Sequence, residues 1–207
     1  MRNVIRATAL AGLLVGAAGG SAFAAPLSGS YTANGAFVPV SLGGDQTSLG
    51  SAAAIDFVPT VSPGDVVVPT PGTPGNFVVS AATGDFSHLV GLSGTIRDVS
   101  LLGNGNSDYP VPPIPMFQRV GDVTFDLTRL SVIRQDDEVL FVNGEGTLMR
   151  AGFDNTSGVM HLAAEAVGDL GFATMTMTAV PEPTTMVLMG LGLLGVAATM
   201  RRPRLRR

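Results

Sequence analysis

Apolar and polar residues alternate one by one along residues 122–128. Val123, Phe125 and Leu127 fall on one side of this alternation, and acidic and hydroxyl side chains fall on the other. Because successive side chains of a strand point to opposite faces, the run predicts a β-strand with one buried and one solvated face. Comparable short runs recur between clusters of Gly, Pro, Asn and Asp, and no apolar pattern of helical period persists.

The number of such runs indicates the fold class. The first run continues through 130–133 after a bulge, and further runs that predict strands are 31–40, 53–58, 77–82, 94–102, 139–142, 146–150, 159–166 and 172–178. Between two of them stands Asn143-Gly144, a dipeptide that predicts a tight hairpin turn because both positions tolerate positive φ. About eight or nine short strands at roughly ten-residue spacing favour an all-β, antiparallel β-sandwich or barrel-like body. A β-solenoid is the alternative, although no fixed repeat length is present.

Two proline-rich stretches, 59–74 and 110–115, interrupt the strand pattern. Proline cannot donate a hydrogen bond to a sheet ladder, so neither stretch is expected to form a central strand. Neither flank alone contains enough strands for a sheet with its own core. We therefore expect surface loops or edge coverings within one domain, rather than linkers between domains.

The charges of the chain are distributed unevenly. All twelve basic side chains are arginines, and seven of them lie near the two ends of the chain. Residues 25–178 contain five arginines against fifteen acidic residues, a net charge of −10. Such an acidic body repels phosphates, which argues against nucleic-acid binding, and it attracts cations. The chain has no Cys, so disulfides, cysteine metal sites and thiol nucleophiles are excluded.

The N-terminus has the pattern of an export leader. Two arginines among the first six residues precede an apolar stretch, 7–18, and small residues follow it. Ala22 and Ala24 supply the small-x-small pattern that a signal peptidase recognises. The pattern predicts a signal peptide over 1–24, cleaved after Ala24, with Ala25 as the neighbouring choice. An uncleaved anchor helix is the alternative, and the short apolar run disfavours it.

The C-terminus combines an apolar segment with a basic tail. Residues 184–200 carry no charge, and as a helix they would be about 25 Å long. A bilayer core is about 30 Å thick, so a transmembrane helix here would be marginal in length. The positive-inside rule keeps the residues after it cytoplasmic and leaves Pro183 on the outer face. This stop-transfer tail consists of Arg201, Arg202, Arg204, Arg206 and Arg207.

Residues 179–207 resemble the PEP-CTERM sorting domain. The resemblance rests on three features in fixed order, namely Val180-Pro181-Glu182-Pro183, the short glycine-containing apolar segment and the terminal arginine cluster. The resemblance implies that an exosortase, a multi-pass membrane transpeptidase, recognises Pro181, Glu182 and Pro183 at the membrane surface. It also implies that the tail is then removed and that the protein passes to the cell surface or an extracellular polysaccharide matrix. The hydrophobic tail would thus be temporary, as in a GPI signal. A permanent C-terminal anchor is the alternative.

The chain is thereby divided into a signal peptide (1–24), an exported acidic β domain (25–178) and a sorting signal (179–207). Pieces of the β domain are similar to a domain common among PEP-CTERM proteins, and that resemblance implies no activity. These pieces are Gly84-Asp85-Phe86, Gly94-Thr95-Ile96-Arg97-Asp98, Phe125-Asp126-Leu127, Gly144-Glu145-Gly146-Thr147-Leu148 and Gly152-Phe153-Asp154.

Few residues form a pattern that indicates chemistry. His88 and His161 lack the spacing of a paired metal site, so no metal or catalytic role is predicted for them. Asn104, Asn106 and Asp108 alternate oxygen-bearing side chains as a calcium loop would. The later bidentate carboxylate of such a loop is missing, however, and an ordinary glycine–asparagine loop is favoured.

Five carboxylates are available for a glycosidase pair, namely Asp136, Asp137, Glu138, Glu145 and Glu165. The first three fall where a hairpin loop is expected, which favours a solvated acidic turn. We expect a non-enzymatic surface or matrix protein without a cofactor. Its partners would be signal peptidase, exosortase, transiently the inner membrane, and exopolysaccharide. The alternatives are a secreted carbohydrate-active hydrolase and a calcium-dependent adhesin with the same tag.

Overall fold

The computed structural model describes residues 24–59, 68–167 and 170–181. These residues form ten strands, numbered in chain order, and two short 3₁₀ turns, Leu49–Ser51 and Gly84–Leu89. The strands are β1 (Ser30–Val40), β2 (Ala54–Val58), β3 (Gly75–Ala82), β4 (Ser93–Ile96), β5 (Val99–Ser100), β6 (Ile114–Val120), β7 (Val123–Gln135), β8 (Val139–Arg150), β9 (Thr156–Val167) and β10 (Leu170–Ala179).

Eight of these strands close an antiparallel barrel. Around it the order is β1, β3, β4, β6, β7, β8, β9 and β10, and β10 pairs again with β1. Closure depends on β1, which pairs with β10 from Ser30 to Phe37 along one edge and with β3 from Tyr31 along the other. Farther along that second edge β1 pairs with β2, which in turn pairs with β5. The prediction of an all-β antiparallel body is therefore confirmed in its barrel-like form, and the solenoid alternative was wrong.

The barrel interior is filled by side chains. The alternation predicted along β7 is present, because Val123, Phe125 and Leu127 are buried while the residues between them are partly exposed. The 3₁₀ turn Gly84–Leu89 places Phe86 against Tyr31 in an edge-to-face contact with ring centroids 5.6 Å apart. The largest fully buried side chains of the described residues are Tyr31, Tyr109, Phe37, Phe57, Phe77, Phe86, Phe117, Phe125, Leu27, Leu49, Ile55 and Leu89.

The predicted hairpin turn at Asn143-Gly144 was wrong. Both residues lie inside β8, which pairs without interruption with β9 from Val139 to Leu148. Gly144 occupies a buried position, where an added Cβ would lie 2.8 Å from a methyl carbon of Leu127 and 2.9 Å from the methyl carbon of Met160. Gly144 therefore lies where the side-chain ends of the neighbouring strands leave little room for a Cβ, and it does not form a turn.

Two other segments differ from the sequence-based expectation. The predicted strand 94–102 is divided into β4 and β5, and Asp98, which lies between these two strands, is buried. The proline-rich stretch 110–115 does contain a loop, but β6 begins within it at Ile114. The acidic turn between β7 and β8 was predicted correctly, and Asp136 caps it by accepting the backbone N–H of Val139 at 2.9 Å.

Among the described residues, no helix is long and apolar enough to cross a bilayer. The apolar segment 184–200, predicted to be a transmembrane helix, lies outside those residues, as do residues 1–23 of the predicted signal peptide.

Candidate functional site

The last barrel strand leads directly into the predicted sorting motif. At the end of β10, the Ala179 N–H donates to the Gly29 carbonyl at 3.0 Å, and the Val180 N–H donates to the Ser157 carbonyl at 2.7 Å. Pro181, the next residue, is exposed and is the last one that the structure describes. Backbone hydrogen bonds therefore hold the chain up to the residue before Pro181. Glu182, Pro183 and the arginine tail lie outside the described residues.

The beginning of the body is held at the same end of the barrel. The Asp154 N–H donates to the Ala25 carbonyl at 3.1 Å, and Pro26 forms a parallel bridge with Asp154. The Leu27 N–H donates to the Thr156 hydroxyl at 2.8 Å. Residues 154–157 thus contact both ends of the folded body. Ala24 and Ala25 lie beside this segment, whereas Ala22 lies outside the described residues.

A polar network covers part of this barrel end. The Arg150 guanidinium donates through Nε to Asp122 at 2.7 Å and through Nη1 to the Asp85 carbonyl at 2.7 Å. His88 Nε2 lies 2.9 Å from the other oxygen of Asp122. The hydrogen bond from His88, followed by that from Arg150, lowers the pKa of the Asp122 carboxyl below its usual range. His88 therefore has a structural role, because it helps to hold Asp122 in this network.

The other residues considered for chemistry lie apart. His161 is on β9, where its Nδ1 lies 2.7 Å from the Asn143 side-chain oxygen. Glu145 and Glu165 are exposed on β8 and β9, and each is opposite a valine on the neighbouring strand. Within the described ranges, no three side chains among His, Cys, Asp and Glu come together as a metal group.

The loop considered for calcium has a turn-forming role. The Asn106 side-chain oxygen accepts the backbone N–H of Asp108 at 3.0 Å and that of Tyr109 at 2.8 Å. The Asn106 amide nitrogen donates to the Leu42 carbonyl at 2.9 Å. Asn104 contributes its backbone carbonyl, which accepts the Ser100 hydroxyl at 2.8 Å. Calcium at Asn104, Asn106 and Asp108 stays an untested alternative to the ordinary loop that the sequence favours, and the Asn106 side chain forms a turn that leads into the buried Tyr109.

A cleft of about 270 Å³ lies on the outer face of the barrel, where β10, β1 and β3 are neighbours. Phe172 and Val78 line it, and their side chains are 55% and 38% exposed. Asn34, Asn76 and Thr174 supply its polar groups, and the Thr174 hydroxyl donates to Asn34 at 3.1 Å. An exposed aromatic ring next to amides and hydroxyls offers both an apolar contact and hydrogen bonds to a polar ligand.

Sequence reasoning missed a pair of buried carboxylates. Asp56 on β2 and Asp98 after β4 are 0% and 2% exposed. Burial raises the pKa of Asp56 to about 6, against the effect of hydrogen bonds from Tyr109 and the Thr70 backbone. Burial, together with the charge of Asp56, raises the pKa of Asp98 to about 7. One signal was present in the sequence, because Asp56 interrupts the otherwise apolar run 53–58.

Residues 179–202 match the family model described as the PEP-CTERM protein-sorting motif. The chain therefore carries a PEP-CTERM sorting motif directly behind a closed antiparallel β-barrel. The motif supports an exported protein with an exosortase as its processing partner. No curated protein and no solved structure matches the chain. The resemblance of pieces of the barrel domain to a domain common among PEP-CTERM proteins stays a prediction.

Proposed function

We propose that this chain is a non-enzymatic surface or matrix protein that an exosortase releases from the inner membrane. A signal peptidase first removes residues 1–24, and the apolar segment 184–200 then holds the protein in the membrane until the motif is processed. The observation that carries the proposal is the position of the sorting motif, which begins at Ala179, the last residue of the last barrel strand.

This position constrains how the motif is presented. The backbone is fixed to the barrel as far as Val180, so Pro181 directly follows the folded domain. The barrel must then lie close to the outer face of the inner membrane while the tail is still attached. Cleavage at Pro181-Glu182-Pro183 would remove the apolar segment and leave the acidic barrel free of the bilayer.

The sorting role can be tested by replacing Glu182 with alanine in the native cell. We expect E182A to remain in the membrane fraction at unprocessed mass, because the exosortase no longer recognises its motif. The matched control is Glu145→Ala, which removes a carboxylate that is exposed on β8 and forms only a long contact, 3.7 Å, with Arg129. E145A should be processed and exported like the wild type. Equal processing of both variants would contradict the proposal.

We further propose that the exported barrel associates with exopolysaccharide through the outer cleft at Phe172. The exposed ring can stack on the apolar face of a sugar, while Asn34 and Asn76 can hydrogen-bond to its hydroxyl groups. The described residues that line the cleft include no carboxylate pair of the kind that glycosidases use.

Cosedimentation of the exported protein with exopolysaccharide from its own cell tests this role. We expect Phe172→Ala to weaken the association, and Phe141→Ala to leave it unchanged. Phe141 is a suitable control because it is 40% exposed on β8, away from the cleft. Equal binding by the two variants would contradict the assignment of the cleft. Release of new reducing ends from the polysaccharide would contradict a non-enzymatic role.

A further inference from the structure

We propose that Asp56, Asp98 and Thr70 form a calcium site that fastens β2 and the loop 68–74 to the barrel. The site is distinct from the loop of Asn104, Asn106 and Asp108, and it does not depend on the sorting role. Its ligand would be a hard divalent cation bound by oxygen atoms only.

Asp56 provides the first part of the argument. Its side chain is fully buried, and its Oδ2 accepts the Tyr109 hydroxyl at 3.2 Å. Its Oδ1 has no hydrogen-bond partner. Buried carboxylate oxygens are normally hydrogen-bonded or paired with a cation, because leaving one unpartnered costs free energy. Asp56 therefore presents an acceptor oxygen that lacks a ligand.

Thr70 provides the second, independent part. Its hydroxyl oxygen is also buried without a partner, and within the described residues only Asp56 Oδ1 shares this property. The Thr70 backbone N–H lies close enough to the Asp56 carboxyl to lower its pKa. The two unpartnered oxygens thus belong to neighbouring residues in space, although they come from a strand and a separate loop.

Asp98 adds a second carboxylate to the same region. Its Oδ1 accepts the N–H of Phe57, the residue after Asp56, at 2.9 Å, and its Oδ2 accepts the Gly72 N–H at 2.9 Å. Asp98 thereby connects β2 to the loop that carries Thr70. In the part of the chain that the structure describes, the ion pairs involve neither Asp56 nor Asp98. Two adjacent buried carboxylates without an ion-pair partner repel each other when both are ionised, and either a proton on one of them or a cation between them relieves this repulsion.

The donor set indicates the class of cation. Carboxylate and hydroxyl oxygens are hard ligands, and Ca²⁺ accepts irregular sets of six to eight oxygens completed by carbonyls and water. Only two of the ligands are charged, so we expect weak binding, with a Kd of about 10⁻⁴–10⁻³ M as in extracellular modules. The net negative charge of residues 25–178 also attracts cations towards the site.

The full chain, purified in detergent, allows a direct test with calcium chloride and EDTA. In 10 mM calcium we expect Tm to rise by roughly 3–10 °C above its value in EDTA, as follows from the affinity range and the size of the domain. Asp56→Asn should abolish this rise, because the amide can keep the Tyr109 hydrogen bond but loses the charge. Asp108→Asn removes the carboxylate of the neighbouring asparagine loop, which lies beside Gly72, and should keep the rise.

A second measurement does not depend on how the variants fold. The chain has two tyrosines and no tryptophan, and Tyr109 touches Asp56. Terbium, which replaces calcium in oxygen sites, should therefore show tyrosine-sensitised emission in the wild type that calcium quenches by competition. An unchanged Tm together with absent terbium emission would overturn the proposal. Loss of the calcium effect in D108N but not in D56N would also overturn it, in favour of the asparagine loop.

Discussion

Gly146 on β8 offers a quantitative test of the barrel interior. A Cβ added there would overlap the Asp126 carbonyl oxygen on β7 and would lie 2.6 Å and 2.7 Å from two ring carbons of Phe125. The carbonyl belongs to a strand ladder and cannot move away as the end of a flexible side chain can. Gly146→Ala must therefore displace β7 or β8 locally.

The size of the effect follows from that contact. Overpacking a core typically costs about 1–3 kcal/mol, and a clash with backbone belongs at the upper end. We expect G146A to lower the free energy of unfolding by about 3 kcal/mol, which corresponds to a decrease in Tm of about 6–12 °C for a domain of this size. Thermal unfolding of the full chain in detergent, followed by circular dichroism, measures this decrease.

Gly103→Ala is the matched control for G146A. Nothing lies within 4 Å of a Cβ added at Gly103, and its φ is not in the left-handed region. We expect a change within about 0.5 kcal/mol for this variant. If G146A and G103A unfolded at the same temperature, Gly146 would not face a filled interior. The course of β8 through Asn143-Gly144 would then be incorrect.

Two further predictions concern buried polar groups. Tyr31→Phe leaves Gln118 Oε1, which accepts the Tyr31 hydroxyl at 2.9 Å, buried without a partner. The substitution should lower the free energy of unfolding, measured with urea, by about 1–3 kcal/mol, and adding Gln118→Leu should restore part of this loss. A double variant whose loss of stability exceeds the sum of the losses in the two single variants would contradict this. In EDTA, the free energy of unfolding should fall as pH rises from about 4 towards 7, because burial raises the pKa values of Asp56 and Asp98 from 3.8 to about 6 and about 7. The stability that the two protonated carboxyls contribute is complete below their pKa in the unfolded chain, and it is lost as the pH rises through their pKa values in the folded protein. Asp56→Asn should therefore flatten the dependence of the free energy of unfolding on pH. An unchanged slope of that dependence would contradict this prediction.

The sequence predicted those parts of the fold that depend on local pattern. β7 was recognisable because the alternation of Val123, Phe125 and Leu127 is a property of the strand itself. The acidic turn at Asp136 was recognisable for the same reason, since its cap is formed by residues two and three positions away. The sequence left closure of the barrel as only one of several alternatives, because no local pattern shows it. Closure depends on the pairing of β1 with β10, and the paired residues are more than a hundred positions apart in the chain.

Features that depend on distant strands were misread or missed. Asn143-Gly144 has the local chemistry of a turn, but it lies inside β8, where Gly144 packs against the side-chain ends of Leu127 and Met160 on the neighbouring strands. The pairing of Asp56 with Asp98 follows from a contact between β2 and the segment after β4. The sorting motif, by contrast, is continuous in sequence, so it could be recognised without a structure.

The measurement that bears most directly on sorting is the intact mass of the exported protein from its native cell. We expect a single species that begins at or next to Ala25 and ends within Pro181-Glu182-Pro183, so that the barrel is complete and the apolar segment 184–200 is absent. A mature protein that still contained residues 184–207 would contradict exosortase processing, and the C-terminal segment would then be a permanent anchor.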